Sequence, residues 1–521
     1  MGGCSHILDC LYLYPTLKHL TTSPRMTDAQ GVNIVNNENS TEMTFDQLVT
    51  TVRRESRRIS TDSRSVRPGD VFVAIAGRSV DGHRFIQDAQ AQGAEYVVCA
   101  TLPSDMTPER MVVVDSPAKA AATLAQASLD YPTQKLVNLG VTGTNGKTTV
   151  ATLTQACLEA AGKAAGLIGT ICYDTGAERE DAPLTTPDAC SLAGLQSRMV
   201  RAGREFMVIE ASSHALHQDR LAGIEFAAAA FTNLTGDHLD YHQTEKKYLA
   251  AKATLFTGLA SGATAILNAD SPHSAQLARL TDAQVLTYGI DGDADLRASI
   301  HSLSVTGTTY TLHHGAQSAR VRSPLLGRHN VSNHLAAAGL CLAVGVDLSL
   351  IAKGLSELTL VPGRLERVEA DLDFSILIDY AHTDDALGNV LTTLRPLCSG
   401  RLIVLFGCGG ERDRSKRPRM ARIARANADL IIITSDNPRT EAPQKIIDEI
   451  RSGLSCFMDP SVFVEVNRKK AIQFAIDKAK THDIVLLAGK GHETYQVIGE
   501  KRIAFSDKEV ALASIKSLTT Q

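Results

Sequence analysis

Tryptophan is absent from this chain of 521 residues, and aromatic residues make up only 5% of it. Few flat side chains are left for bases to stack on, so single-stranded nucleic acid is a poor candidate partner. An excess of either charge is also missing. Lys and Arg number 53 against 57 Asp and Glu, a net charge of −4, which marks neither nucleic acid nor an anionic membrane as a target. No run approaches about 18 apolar residues, so no membrane span is expected. The ten cysteines have no disulfide or metal-ligand spacing, and only Cys408, inside a glycine turn, lies near a motif. A reduced, cytoplasmic setting is expected. No Ser-His-Asp order, cysteine nucleophile or zinc spacing occurs, so hydrolytic and redox chemistry are not suggested.

What is present is a phosphate loop. The apolar run 136–141 reads as a buried strand, and 150–161 as an apolar-faced helix. Between them stands Gly143-Thr144-Asn145-Gly146-Lys147-Thr148-Thr149. A glycine loop at a helix N-terminus lets backbone N–H groups wrap phosphate oxygens. Lys147 would reach the outer phosphates, and the Thr148 hydroxyl would face Mg²⁺. The match to the usual loop is imperfect: its first glycine position holds Val141, and the glycine sits at 143. A chance Gly-Lys-Thr is the bland alternative. The flanking strand and helix favour use of ATP or GTP.

Six apolar runs (136–141, 206–209, 227–231, 402–406, 430–433 and 484–487) each end directly in a polar or glycine-rich cluster, with helical patterns between them. That is the α/β layout, in which ligands bind beyond the carboxyl ends of parallel strands. The expected division is an N-terminal extension at 1–43, then domains at 44–132, 133–360 and 361–521. Breaks at Tyr131-Pro132-Thr133 and Val361-Pro362-Gly363-Arg364 separate the domains, and a helical stretch runs from 330 to 358. The extension reads as disordered or as a wrongly assigned start, since Met26 and Met43 are alternative initiators. A signal peptide is the competing reading. It lacks the basic leader and small-residue cleavage site that such a peptide carries.

Glu210 ends a strand, as a carboxylate that helps hold Mg²⁺ would; an ordinary cap or ion pair is the alternative. For His238 the two readings, cleft ligand and ordinary histidine, stand even. Arg412 and Arg439 each follow a strand. A guanidinium offers a planar fork that matches carboxylate or phosphate, although a single arginine is more commonly a surface charge. Pro438 stiffens the turn before Arg439. These residues together describe an ATP-using enzyme with anionic substrate groups.

The motifs as a set resemble the Mur ligase family: Gly143 to Thr149, Thr185-Thr186-Pro187-Asp188, Glu210-Ala211-Ser212-Ser213-His214, Asp237-His238-Leu239-Asp240-Tyr241-His242, Gly327-Arg328-His329-Asn330, Asp379-Tyr380-Ala381-His382, Asp436-Asn437-Pro438-Arg439 and Gly489-Lys490-Gly491-His492-Glu493. The resemblance implies three units: an N-terminal α/β uridine-nucleotide domain, a central P-loop ATPase-like domain with a parallel sheet, and a C-terminal Rossmann-like domain. It implies an ATP- and Mg²⁺-dependent ligase of peptidoglycan precursor synthesis. Such an enzyme adds meso-2,6-diaminopimelate to UDP-N-acetylmuramoyl-L-alanyl-D-glutamate through an acyl phosphate. The implied catalytic and Mg²⁺-site residues are Lys147, Thr148, Glu210, His238 and a carbamylated Lys252; by its own sequence context Lys252 passes for a helix-surface lysine. Gly143 to Thr149 with His329 and Asn330 would bind ATP. Thr61, Ser63, Arg78, Ser79, Val80, Thr185, Thr186, Ser212, Gln218 and Arg220 would contact the UDP-muramoyl dipeptide. Arg412, Asp436, Asn437, Pro438, Arg439, Gly489 and Glu493 would hold diaminopimelate, with Arg439 marking that amino acid rather than lysine. No nucleic-acid or membrane partner is implied, and a monomer is expected. Asp384 stands where the family usually has proline, which should loosen its loop. Glu411 replaces a usual aspartate, and Arg78-Ser79-Val80 departs from some members. A lysine-adding relative, a folylpolyglutamate-synthase-like or cyanophycin-type ligase and a nucleotide-dependent scaffold are the competing readings.

Overall fold

The six apolar runs become strands of two sheets, three in each, and a smaller sheet precedes both in the chain. The computed structural model describes residues 43–77, 80–103, 110–236, 238–454 and 459–519. Apart from Met43, the N-terminal extension lies outside the described residues, as do Arg78, Ser79 and Asp237. Among the described residues no helix is long and apolar enough to cross a membrane.

The first sheet has four parallel strands in chain order: Ile59–Ser60, Val71–Val73, Tyr96–Cys99 and Met111–Val113. Helix Phe45–Glu55 starts with a capping box. The Thr44 hydroxyl accepts from Gln47 N, and the Gln47 side chain accepts from Thr44 N at 2.8 Å, satisfying two donors that the helix leaves orphaned. Helix Pro117–Ser128 has the Ser116 side chain as its cap and proline in its first turn, where a missing N–H loses nothing. This helix packs on helix Ala189–Arg201 of the next sheet, and buried Gln126 Nε2 donates to Gln196 Oε1 at 2.6 Å.

The central sheet has eleven strands. Its parallel heart runs Gln284–Gly289, Thr264–Asn268, Phe226–Phe231, Val137–Thr142, Phe206–Glu210, Ala165–Ile168. Leu296–Ser304 adds a parallel strand beside Gln284–Gly289, and antiparallel strands then extend both edges, Gly307–His314 and Gln317–Ser323 on one side and Cys172–Asp174 and Arg179–Asp181 on the other. The heart's inner strands are buried on both faces, which is why they read as continuous apolar runs rather than alternating ones. Leu139, Val141, Val208 and Ile209 are all 0% exposed, and burying each such side chain contributes about 1.5–3 kcal/mol.

The third sheet orders Glu366–Arg367, Ser375–Asp379, Ile484–Ala488, Leu402–Phe406, Leu430–Ile433 and Val462–Val464, parallel except for the first pair. An antiparallel ribbon, Tyr495–Ile498 with Lys501–Ala504, follows it.

Two local expectations are corrected. The helical stretch 330–358 is two helices, Arg328–Ala343 and Leu348–Glu357. Gly345 at φ +74° ends the first, its N–H bonding to Leu342 O, the left-handed stop that glycine adopts without a Cβ penalty. Asp384 lies in a helix rather than in a loop. It opens helix Asp384–Leu394, capped by Thr383, and its carboxylate accepts from Arg419 Nε at 2.8 Å. A carboxylate in a first helical turn also meets the positive end of the helix dipole.

Candidate active site

Strand order decides what meets at the site. The phosphate-loop strand lies between Phe206–Glu210 and Phe226–Phe231, with Val141 opposite Glu210 and Thr142 opposite Phe231. The loops at 143–146, 211–213 and 232–236 therefore leave the sheet side by side. Two loop glycines have no substitute. A Cβ on Gly143, at φ +153°, would sit 1.8 Å from Thr232 Oγ1, and one on Gly146, at φ +88°, 2.4 Å from Asn333 Oδ1. Helix Lys147–Ala160 starts directly after, so its first N–H groups and its dipole face the loop.

Glu210 is 1% exposed. Its Oε1 accepts from Thr170 N at 2.7 Å, and its Oε2 accepts from the Thr148 and Thr170 hydroxyls at 3.0 Å each. A buried carboxylate beside the hydroxyl of a phosphate-loop threonine is a donor set of oxygen ligands that fits Mg²⁺. From the third sheet's side, Arg364 Nη2 reaches the same hydroxyl at 3.2 Å. Asp385 Oδ2 accepts from Asn145 Nδ2 at 2.9 Å and from Thr235 Oγ1 at 3.0 Å. These contacts seat the C-terminal unit against the phosphate loop.

Lys252 corrects its sequence reading. It is 1% exposed, on the inner face of helix Glu245–Thr257, and not a surface lysine. Its Nζ donates to Gly143 O at 2.7 Å and lies 4.4 Å from the Tyr248 ring centre. Lys147 Nζ donates to the same Gly143 carbonyl and to Thr144 O, both at 2.9 Å. His238 adopts φ +55°, and its ring lies 5.0 Å from that of His214 and 6.0 Å from that of Tyr248. Neighbouring His242 is pushed down to about 4, by burial first and then by His214, His217, His238 and Lys252; it stays neutral at pH 7 and meets Ser213 Oγ at 3.0 Å.

Lys147, His238 and Lys252 line one cavity of about 260 Å³ with Thr185, Thr186, Ser212 and Arg220. The polar walls are tied together. The Thr186 hydroxyl donates to Glu210 O at 2.6 Å, Arg220 Nη1 donates to Thr186 O at 2.8 Å, and Gln218 Oε1 accepts from Arg220 Nη2 at 2.7 Å. A second cavity, of about 640 Å³, is lined by Asn145, Gly146, Thr148 and Thr149, by His329 and Asn330, and from the third sheet by Arg364, Asp379 and Asn389. Burial pushes His329 down to about 4, so its ring is neutral. Burial raises the Asp379 carboxyl, against Arg364 and the N–H groups of Leu365 and Ala381.

The residues expected to hold the added amino acid gather at the carboxyl end of the third sheet. Lys490, 0% exposed, belongs to the motif Gly489 to Glu493 but carries no role in the sequence reading. It is the hub: its Nζ meets Glu493 Oε2 at 2.9 Å, Asn437 Oδ1 at 3.3 Å and Asp436 Oδ1 at 3.4 Å. Asn437 Nδ2 also donates to Glu493 Oε2 at 2.9 Å. Arg439 sits at φ +51°, its N–H bonding to Val497 O at 3.0 Å and its Nη1 to Gly410 O at 2.6 Å. A Cβ on Gly409 would stand 3.1 Å from Arg439 Nη1 and 3.6 Å from Arg412 Cγ, and one on Gly410 1.9 Å from Pro438 O. The two arginines thus border one glycine turn, with Arg412 exposed. Gly489, at φ +108°, faces Asp436. Cys408 in that turn is no nucleophile: burial pushes its thiol up to about 12, and it packs on Met420.

Thr61 and Ser63 follow strand Ile59–Ser60, and exposed Val80 follows Val71–Val73, at the carboxyl edge of the first sheet. They line neither cavity. Arg364 and Asp385 were missed. The first was read only as part of a domain break, and the second followed a position noted only for its lost proline.

Comparison with known proteins adds three family matches: the Mur ligase family catalytic domain at residues 55–129, the Mur ligase middle domain at 141–341 and the Mur ligase glutamate ligase domain at 363–491. The chain is 45% identical to the UDP-N-acetylmuramoyl-L-alanyl-D-glutamate–2,6-diaminopimelate ligase of Gloeobacter violaceus, over 87% of this chain and 92% of that one. It is 43% identical to the enzyme of the same name from Bacillus licheniformis, over 88% and 94%. A solved structure of a ligase of that name superposes with a TM-score of 0.64 at 33% identity, covering 89% of this chain and 95% of its own.

Proposed function

The chain belongs to the Mur ligase family, and from that membership we propose how its geometry joins meso-2,6-diaminopimelate to UDP-N-acetylmuramoyl-L-alanyl-D-glutamate. It is an ATP-dependent ligase that uses Mg²⁺ and serves peptidoglycan precursor synthesis. One observation carries the assignment of roles: the phosphate loop is a wall common to both cavities. Asn145, Gly146, Thr148 and Thr149 face the larger one, and Lys147 faces the smaller. A nucleotide on one side and an acceptor carboxylate on the other would meet across Lys147.

The γ-phosphoryl group of ATP passes to the D-glutamate γ-carboxylate, releasing ADP. The diaminopimelate amine then attacks the acyl carbon, the amide bond forms, and the C–O bond to phosphate breaks. Little covalent help is needed, so positioning and charge stabilisation dominate. Thr148 and Glu210, with His238 and Lys252 once carbamylated, would hold Mg²⁺, which would supply neutralisation of phosphate charge. Lys147 and Arg364 stabilise the transferring group. Neutral His329 and Asn330 contact the adenine. Thr185, Thr186, Ser212, Gln218 and Arg220 orient the muramoyl dipeptide, whose uridine end lies toward Thr61 and Ser63. Closure of the third unit over the phosphate loop excludes the water that would hydrolyse an acyl phosphate.

Diaminopimelate differs from lysine by a distal carboxylate, which Arg412 and Arg439 clamp. With lysine that fork is left unmatched, at a cost of about 2–4 kcal/mol. The enzyme works in the cytoplasm as a monomer. The test is ATP-dependent phosphate release with UDP-muramoyl-L-Ala-D-Glu, offering meso-diaminopimelate or L-lysine. Release and amide product with diaminopimelate alone are expected. A preference for lysine overturns the Arg439 reading, and silence with both overturns the ligase assignment.

A further inference from the structure

An arginine selects a carboxylate only if its position is held, and the contacts of Arg439 hold one side. The other side is the glycine turn that carries Gly410 and Arg412. That turn is fixed by a side chain out of reach of any ligand. Arg417, on helix Lys416–Asn427, is 0% exposed. Its Nη2 donates to Gly409 O at 3.1 Å and to Glu441 Oε1 at 2.9 Å, and its Nη1 donates to Glu441 Oε2 at 2.9 Å and to Glu449 Oε2 at 2.7 Å. Glu441 Oε1 also accepts from Glu411 N at 2.6 Å. Glu441 lies two residues beyond Arg439, on the loop that begins at Asp436. One fork-to-fork ion pair therefore joins the turn bearing Arg412 to the loop bearing Arg439.

We infer that Arg417 and Glu441 form a positioning pair that sets the spacing of Arg412 and Arg439, and so the preference for an amino acid with a distal carboxylate, without touching that amino acid. The inference rests on the reading of Arg412 and Arg439 given above. A buried ion pair is weak evidence for stability, since apolar residues of similar volume often replace one at no loss. What the planar fork supplies is geometry, because both carboxylate oxygens are fixed at once. Its two ends are here fastened to the two strand-end loops that carry the arginines. The pair ties the two loops together at Gly409 O, Glu411 N and Glu441.

Steady-state kinetics on the full chain test this with Glu441→Gln, which keeps shape and an acceptor for Glu411 N but loses the charged fork, while Glu449 still balances Arg417. The expected result is a KM for meso-diaminopimelate raised about tenfold, as for a small misplacement of a binding group. The diaminopimelate-over-lysine ratio of kcat/KM should narrow by the same factor, and KM for ATP and for the UDP-dipeptide should stay within about twofold. Glu449→Gln, which touches neither the turn at 409–411 nor the loop at 436–441, should leave the preference intact. Unchanged diaminopimelate KM in folded Glu441→Gln, an equal loss toward all three substrates, or an equal effect of Glu449→Gln overturns the inference. If Glu441→Gln does not fold, Arg417→Lys keeps the charge and removes the fork, and normal selectivity in that variant overturns it too. Absence of any preference in the parent enzyme sinks the underlying functional reading instead.

Discussion

Replacing Glu210 by Gln separates what this carboxylate does for the fold from what it does for the nucleotide. The side chain is 1% exposed and accepts three hydrogen bonds, one from Thr170 N and two from the Thr148 and Thr170 hydroxyls. In Glu210→Gln the amide oxygen keeps the Thr170 N–H, and the amide nitrogen turns to hydroxyls that can rotate to accept. All three charge-assisted bonds become neutral ones, a loss of about 1 kcal/mol each. A loss of about 3 kcal/mol lowers Tm by roughly 6–12 °C in a unit of 150–250 residues. The chemical step suffers more, because a negative oxygen ligand beside the transferring phosphate is gone. The kcat should fall by about 10²–10³, or about 3–4 kcal/mol of transition-state stabilisation. Phosphate release at saturating Mg²⁺ and substrates measures the second effect, and thermal unfolding followed by circular dichroism measures the first. A variant that melts as expected yet retains kcat within about tenfold would refute the metal-site role and leave Glu210 as a structural acceptor.

Arg439→Ala removes the guanidinium bonded to Gly410 O and should cut kcat/KM for diaminopimelate by roughly 30-fold or more, with lysine use little changed; equal losses for both amino acids in the coupled assay would contradict the clamp. Lys252→Ala should be nearly inactive and regain part of its activity with a small carboxylic acid, as expected if an anion is needed where the Nζ meets Gly143 O; full activity without additive ends that idea. His334 is 0% exposed, and burial holds its pKa down at about 3. The unfolded chain takes up a proton below about 6.5 while the folded chain does not, so this contribution is complete above that pH. It is lost as pH falls toward 3, by about 1.4 kcal/mol per unit. Denaturation midpoints at pH 7 and 5 should therefore lie closer together in His334→Gln than in the parent, the remaining slope coming from groups such as His242 and His329 that burial also lowers, and a parent-like pH slope in that variant would show that His334 does not contribute.

The sequence by itself determined the strands and the clusters at their ends. Runs such as Leu402–Phe406 and Leu430–Ile433 are read correctly because a parallel strand covered on both faces must be apolar throughout. Each polar cluster then falls, by the geometry of the α/β layout, beyond a carboxyl end. The phosphate loop was legible for the same local reason: its glycines sit where a Cβ would strike Thr232 or Asn333. Lys252, Lys490, Arg364 and Asp385 were not legible as what they are. Lys252 lies on helix Glu245–Thr257, yet its ammonium is buried against the carbonyl of Gly143, 109 residues away. Lys490 looks like a loop cation beside Glu493 until the third sheet sets strand Ile484–Ala488 beside Ser375–Asp379 and Leu402–Phe406 and brings Asp436 to it. Arg364 and Asp385 acquire meaning only when the third unit docks on the phosphate loop. Local periodicity and turn chemistry are encoded over a few residues, and a single chain displays them. Burial of a charge and the meeting of two domains depend on which distant segments pack together, and only the tertiary structure decides that.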